Sequence, residues 1–170
     1  MLLDTPVCDF GWKAPSFSLK DPDDGKEFSF DDVMGEKGLL VAFICNHCPY
    51  VQRIIDPLVS DLKTLQGEGV GVVAIMSNNY ETHPDDSPEN MKLFAQQHGF
   101  TFPYLVDETQ EVGRAYDAVC TPDFFGLNKD GELQYRGNNE GLLEAMRLIA
   151  ETGQGPKDQK PSMGCSIKWK

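Results

Sequence analysis

Leu39-Leu40-Val41-Ala42-Phe43-Ile44-Cys45-Asn46-His47-Cys48-Pro49-Tyr50 is the stretch whose reading decides the fold of this 170-residue chain. Its first six residues form a continuous apolar run, too short for a surface helix and suited to a strand buried on both faces. After Cys48 the period changes. Val51, Ile54, Ile55, Leu58, Val59, Leu62 and Leu65 recur at three- and four-residue spacing, which predicts an amphipathic helix with a kink at Pro57. Two thiols separated by two residues therefore stand where a strand passes into a helix, and they can close and reopen a small disulfide ring. The first N–H groups of a helix lack internal acceptors and carry the positive end of its dipole, so a thiolate is favoured beside them. A cysteine so placed titrates at roughly 3.5–7.5 instead of about 8.5.

Working outward, Phe17 and Leu19 alternate with polar residues, as do Phe28 and Phe30, and Asp21-Pro22-Asp23-Asp24-Gly25 between them is turn chemistry. This predicts an N-terminal β-hairpin. Val70 to Met76 is a second buried strand, and Ser87 as N-cap with Pro88 behind it opens a helix carrying Met91, Leu93, Phe94 and Ala95. A short strand at Tyr104-Leu105-Val106 and a short helix around Val112, Ala115 and Tyr116 follow. Phe124, Phe125 and Leu127 then pair across Asn128-Lys129-Asp130-Gly131 with Leu133 and Tyr135, and a last helix buries Leu142, Leu143, Met146 and Ile149. Alternating strands and helices imply parallel pairing through right-handed crossovers, and the closing hairpin adds antiparallel strands. The tail from Gly153 loses the helical period but places Cys165, Ile167 and Trp169 at alternate positions, so it is expected to pack back on the body.

One domain over residues 1–170 is expected, with a core at about 11–150 and a tail at 153–170. The formal net charge of −12 and the lack of a basic patch exclude nucleic acid as the main partner. The acidic clusters at Asp21, Asp23 and Asp24, at Asp31 and Asp32, and at Asp85 and Asp86 read as solvated loops. No run of the ~18 apolar residues needed to span a bilayer occurs. Met1-Leu2-Leu3-Asp4-Thr5-Pro6 has neither the charged nor the apolar region of a signal peptide, so a cytoplasmic protein is expected. In a reducing compartment, five cysteines point to catalysis, metal binding or burial and away from a structural disulfide framework.

The order of elements and four phrases together resemble the thioredoxin-like superfamily, in its redoxin or peroxiredoxin-like (AhpC/TSA-like) branch. The phrases are Gly11-Trp12-Lys13-Ala14-Pro15-Ser16-Phe17, Cys45 to Tyr50, Phe100-Thr101-Phe102-Pro103-Tyr104-Leu105-Val106-Asp107 and Thr121-Pro122-Asp123-Phe124-Phe125. The resemblance implies an α/β thioredoxin-like fold: a central mixed sheet flanked by helices, with the N-terminal hairpin as an extension and a C-terminal tail. It also implies a cis-proline loop at Thr121-Pro122 facing the cysteines, where the Thr121 backbone offers strand-like hydrogen bonds to a bound thiol or peptide.

Two overlapping motifs share Cys48. Read as Cys-x-x-Cys, Cys45 attacks and Cys48 resolves, with His47 in the place of the intervening histidine of oxidising thioredoxin-fold enzymes. Counted from Phe43, Cys48 falls where thioredoxins and glutaredoxins place their first cysteine, and Cys48-Pro49-Tyr50-Val51 resembles Cys-Pro-Tyr-Cys without its second thiol. The second register is favoured, because Pro49 suits the first turn of the helix. Resolution is left to Cys45, to Cys120 beside the proline loop, or to Cys165 on the tail. His47 is a candidate cation beside the thiolate. His83 and His98 read as surface residues, and Asn46 as a turn former. Cys8 has no assigned role.

The leading function is a thiol-disulfide oxidoreductase with Cys48, Cys45, His47 and Cys120 in the chemistry and Thr121, Pro122 and Pro49 at the substrate. Its partners are a protein or small-molecule disulfide or thiol and an electron donor, with no cofactor, no resident metal and no membrane. A peroxiredoxin-like antioxidant is the first alternative. The peroxidatic pattern Pro-x-x-x-Thr-x-x-Cys fails, however, since Val41 and Cys45 occupy its Pro and Thr positions, and its later arginine falls near Thr121-Pro122. A copper-chaperone-like protein binding metal through Cys45, His47 and Cys48 is the second alternative.

Overall fold

A computed structural model describes residues 1–170. In chain order the elements are β1 (Leu2–Asp4), β2 (Ser18–Lys20), β3 (Glu27–Ser29), α1 (Phe30–Val33), β4 (Leu39–Phe43), α2 (Pro49–Gly67), β5 (Gly71–Met76), a single 3-10 turn (Pro84–Asp86), α3 (Pro88–His98), β6 (Tyr104–Val106), α4 (Glu111–Ala115), β7 (Cys120–Thr121), β8 (Asp123–Leu127), β9 (Leu133–Tyr135), α5 (Asn139–Thr152) and β10 (Met163–Ser166). The seven-stranded sheet runs β3-β2-β6-β5-β4-β8-β9. β4, β5 and β6 are mutually parallel, as helical crossovers require, and β2 and β8 join them antiparallel.

The central strand β4 explains the layering. Leu40, Ala42 and Ile44 belong to a core cluster with Ile55, Leu62, Met91, Leu142 and Met146, the inward faces of α2, α3 and α5. Leu39, Val41 and Phe43 alternate to the opposite face, where they join Phe17, Tyr116 and Phe125. All five β4 residues are buried, so a continuous apolar run was the necessary sequence. Burying each of its Leu, Val and Phe side chains stabilises the fold by roughly 1.5–3 kcal/mol.

Helix boundaries follow local chemistry. The Ser87 side chain accepts from Asn90 N at 3.2 Å, Pro88 opens the first turn, and Gly99 ends α3 in the left-handed conformation, φ 65°. Met91 and Phe94 are buried there, but Leu93 is 53% exposed and adds nothing to the core expected of it. α2 runs unbroken through Pro57. Phe30 is not part of the hairpin: Ser29 and Asp32 cap each other and turn the chain into α1.

The tail does pack back, and as a strand. β10 lies between β1 and β7 in a second, three-stranded sheet, antiparallel to both. Cys165 faces Thr121 and Ser166 faces Cys120 in its register. Gly164 makes this approach possible, because a Cβ there would lie 1.9 Å from the Thr121 carbonyl oxygen. No helix is long and apolar enough to cross a membrane.

Candidate active site

Cys48 is the N-cap of α2 and Pro49 its first residue. Proline fits that place because its missing N–H has no acceptor to lose. Cys45 lies just past the end of β4, and the short span between strand and helix brings both sulfurs under the Thr121-Pro122 loop, whose peptide bond is cis. Cys45 Sγ stands 3.5 Å from Thr121 Oγ1, and Cys48 Sγ stands 3.3 Å from the Thr121 carbonyl oxygen. Both cysteines are closed off, at 1% and 0% exposure.

The two thiols are driven apart in acidity. A hydrogen bond from Cys45 lowers Cys48 from 9.0 to about 4, overcoming the cost of burial, with help from the Thr121 side chain and the backbone N–H groups of Val51 and Cys165. Cys45 moves far upward, because it holds the proton in that bond, is buried and lies near Asp86. The contact from Cys48 to the Thr121 carbonyl serves the protonated thiol only. The ionised sulfur is held by the donors instead.

A buried carboxylate fixes the loop between the cysteines. Asp86, with no exposure, accepts from Asn46 N at 2.8 Å, His47 N at 3.3 Å and Asn78 Nδ2 at 3.0 Å. His47 Nδ1 lies 2.5 Å from Asp86 Oδ2 without forming an aligned hydrogen bond. Asn46 does more than shape a turn: its side chain donates to the Asp85 carbonyl at 3.0 Å and accepts from Tyr104 Oη at 2.8 Å, while Gln52 donates to its carbonyl at 2.9 Å. His83 stacks on His47 with ring centres 5.9 Å apart, so it is not simply a surface residue. Sequence reasoning placed Asp86 in a solvated acidic loop. That expectation is corrected, and no local signal separated Asp86 from Asp85, since only the folding of the 3-10 turn onto the cysteine loop buries one of them.

Cys120 is not brought to the same face. Adjacent strand residues project oppositely, so if Thr121 meets Cys45, Cys120 points away. Its thiol lies 3.7 Å from the Pro122 carbonyl, and burial pushes it up to about 12. The free Thr121 edge expected for a docked peptide is also corrected, because β10 of the chain itself is paired there. Two cavities, ≈ 670 Å³ against β2 and α4 and ≈ 480 Å³ beside α5, contain none of the cysteines.

Candidate metal ligands do converge: one atom each of Cys45, His47 and Asp86 lie within 4.8 Å of one another. Asp86 is already engaged by three N–H groups, whereas His47 Nδ1 makes no hydrogen bond. Two of the arginines, Arg136 and Arg114, are committed as well. Arg136 donates to Asp123 through Nε at 3.2 Å and Nη2 at 2.9 Å and lies 4.3 Å over the Phe125 ring, and Arg114 lies 4.3 Å over Trp169.

A sequence model of the AhpC/TSA family matches residues 10–136. The chain belongs to the AhpC/TSA family. The AhpC/TSA match spans both cysteines and the cis-proline loop and ends before α5 and β10. Among relatives, thiol-disulfide oxidoreductase ResA of Bacillus subtilis is 27% identical over 123 residues, which make up 72% of this chain and 64% of that protein. The chain thus spans just under two thirds of that relative's length. A structure from Geobacillus kaustophilus, described as an uncharacterized conserved protein, is 41% identical and superimposes with a TM-score of 0.94 over 100% of this chain and 97% of that one. The thioredoxin domain of a thiol-disulfide oxidoreductase from Bacteroides vulgatus, 18% identical, superimposes with a TM-score of 0.67 over 83% of this chain and 97% of its own. That likeness shows the fold: this member of the AhpC/TSA family is thioredoxin-like.

Proposed function

We propose that the chain is a thiol-disulfide oxidoreductase in which Cys48 is the attacking thiolate. The observation that carries this reading is the place of Cys48 at the N-terminus of α2, its sulfur 3.3 Å from the Thr121 carbonyl oxygen of the cis-proline loop, where Cys45 lowers its pKa. Cys48 attacks one sulfur of a disulfide, the other sulfur leaves and takes up a proton, and a mixed disulfide remains. A second thiol of the chain then attacks Cys48 Sγ and releases the reduced product. Cys45 supplies the hydrogen bond that keeps Cys48 ionised, His47 and Asp86 hold the loop, and Thr121 and Pro122 cover the sulfurs. Membership of the AhpC/TSA family and the likeness to a protein named thiol-disulfide oxidoreductase support the reading. The engagement of Arg114 and Arg136 weighs against fast peroxide reduction, which needs a donor free to polarise the peroxide. An odd number of cysteines fits a reducing, cytoplasmic setting, which fractionation of the source cells tests.

Stopped-flow reaction of the metal-free, reduced protein with a chromogenic aromatic disulfide tests the assignment. Cys48→Ser should remove the fast phase at neutral pH, while Cys120→Ser should leave it intact. A wild-type protein reacting no faster than a free thiol would overturn the proposal.

A further inference from the structure

We propose that Cys165, on the C-terminal strand β10, is the thiol that resolves the mixed disulfide on Cys48, so that the oxidised protein carries a Cys48–Cys165 disulfide. The inference rests on Cys48 as the attacking thiolate and adds a residue lying outside the part of the chain that matches the family.

The geometry begins with Thr121. Its side chain meets Cys45 and its carbonyl meets Cys48. Cys165 is the residue directly opposite Thr121 in the antiparallel β7–β10 pair. Directly opposed residues project to the same face, so the Cys165 side chain lies on the face where Thr121 meets the cysteines. Cys165 also packs against the apolar cluster that contains Cys45 and Cys48.

The position is built and fastened. Besides the close approach of Gly164 to Thr121, Ser162 Oγ donates to the Pro122 carbonyl at 2.7 Å and Ile167 N donates to the Val119 carbonyl at 3.2 Å. β10 therefore occupies the cis-proline edge, and it presents a cysteine to Cys48.

Charge separates Cys165 from Cys45 as an attacking group. A resolving thiol must lose its proton, and the best attacking thiol has a pKa near the ambient pH. Both thiols are raised, Cys165 by burial and by Cys48, Cys45 by Cys48, by burial and by Asp86. Once Cys48 is bound in a mixed disulfide its share is gone, leaving Asp86 opposed to ionisation of Cys45 and Lys168 offsetting burial at Cys165. Cys45 is 1% exposed, but Cys165 is only partly buried and can pass its proton to water. In the step itself, Cys165 Sγ bonds to Cys48 Sγ and the bond from Cys48 to the substrate sulfur breaks. The departing thiolate takes the proton that Cys165 gave up. The substrate disulfide has then gained two electrons from the Cys48–Cys165 pair. The new disulfide has one sulfur near the surface, where an external thiol can reduce it.

Oxidised glutathione serves as the probe. The reduced full-length protein is exposed to it, quenched with N-ethylmaleimide at intervals, and followed by intact mass and disulfide mapping. Wild type should yield a Cys48–Cys165 disulfide, and Cys45→Ser should still yield it. Cys165→Ser and Cys165→Ala should take up glutathione on Cys48 at the wild-type rate but release it about tenfold more slowly or less. A wild-type map containing only Cys45–Cys48, or normal glutathione release by both Cys165 variants, overturns the inference while leaving Cys48 as the attacking thiolate. Failure of wild-type Cys48 to take up glutathione overturns both.

Discussion

The Asp86 carboxylate lies 2.8 Å from the backbone nitrogen of Asn46, and this bond ties the 3-10 turn to the loop between the cysteines. Three N–H groups and one imidazole depend on that carboxylate. The backbone between the two cysteines is thus held by a residue far along the chain from either.

Asp86→Ala should leave buried donors unpaired and lower stability by about 3 kcal/mol. Asp86→Asn keeps an acceptor for the Asn46 amide and should cost less. Urea unfolding of the reduced proteins checks the order, and equal stability of wild type and Asp86→Ala would show that water replaces the carboxylate.

The acidity of Cys48 has a spectroscopic signature. A pKa lowered from 9.0 to about 4 means that the thiolate is already formed at neutral pH and is lost only as pH falls through that value. The ultraviolet thiolate absorbance of the reduced protein should persist to mildly acidic pH and be absent in Cys48→Ser. In Cys45→Ala the midpoint should move upward, since the hydrogen bond contributing most to the lowering is gone. A single midpoint near that of free cysteine in all three proteins would contradict this.

Gly164→Ala tests the seat of the tail. The added methyl would meet the Thr121 carbonyl oxygen at 1.9 Å and its carbon at 2.6 Å, both backbone atoms that cannot step aside. Stability should fall by about 3 kcal/mol, and Cys48 should become more accessible to a small alkylating reagent as β10 lifts. Mass spectrometry after timed alkylation reads the second effect.

Arg136→Ala should cost about 3–5 kcal/mol, because it leaves the fully buried Asp123 without its cation. Asp123 follows the cis-proline and also accepts from Val119 N at 3.0 Å, so the loop over the cysteines should loosen too. Hydrogen exchange at Val119 and Thr121 reports that loosening directly.

Most of the architecture was legible because it depends on local pattern. The run Leu39 to Ile44 could only be a buried strand, Ser87-Pro88 could only open a helix, and the phrases around Cys45 and Thr121-Pro122 brought the fold family with them. The C-terminal strand was less legible. Alternate apolar residues showed that the tail returns, but its pairing with Thr121 is a matter of register across the whole chain, which no window of sequence contains. The same holds for Asp123 with Arg136 and for His47 with His83.

The sequence by itself determined that a thiol sits at a helix N-terminus, since strand length, helical period and Pro49 together place Cys48 there. It also determined that two cysteines share one turn. Only the tertiary structure decided which of them ionises and what covers them. Acidity depends on the direction of one hydrogen bond, on burial and on Asp86, and cover depends on β10 returning to the cis-proline edge. These are contacts between residues distant in the chain, set by the packing of the sheet and not by any neighbour in sequence.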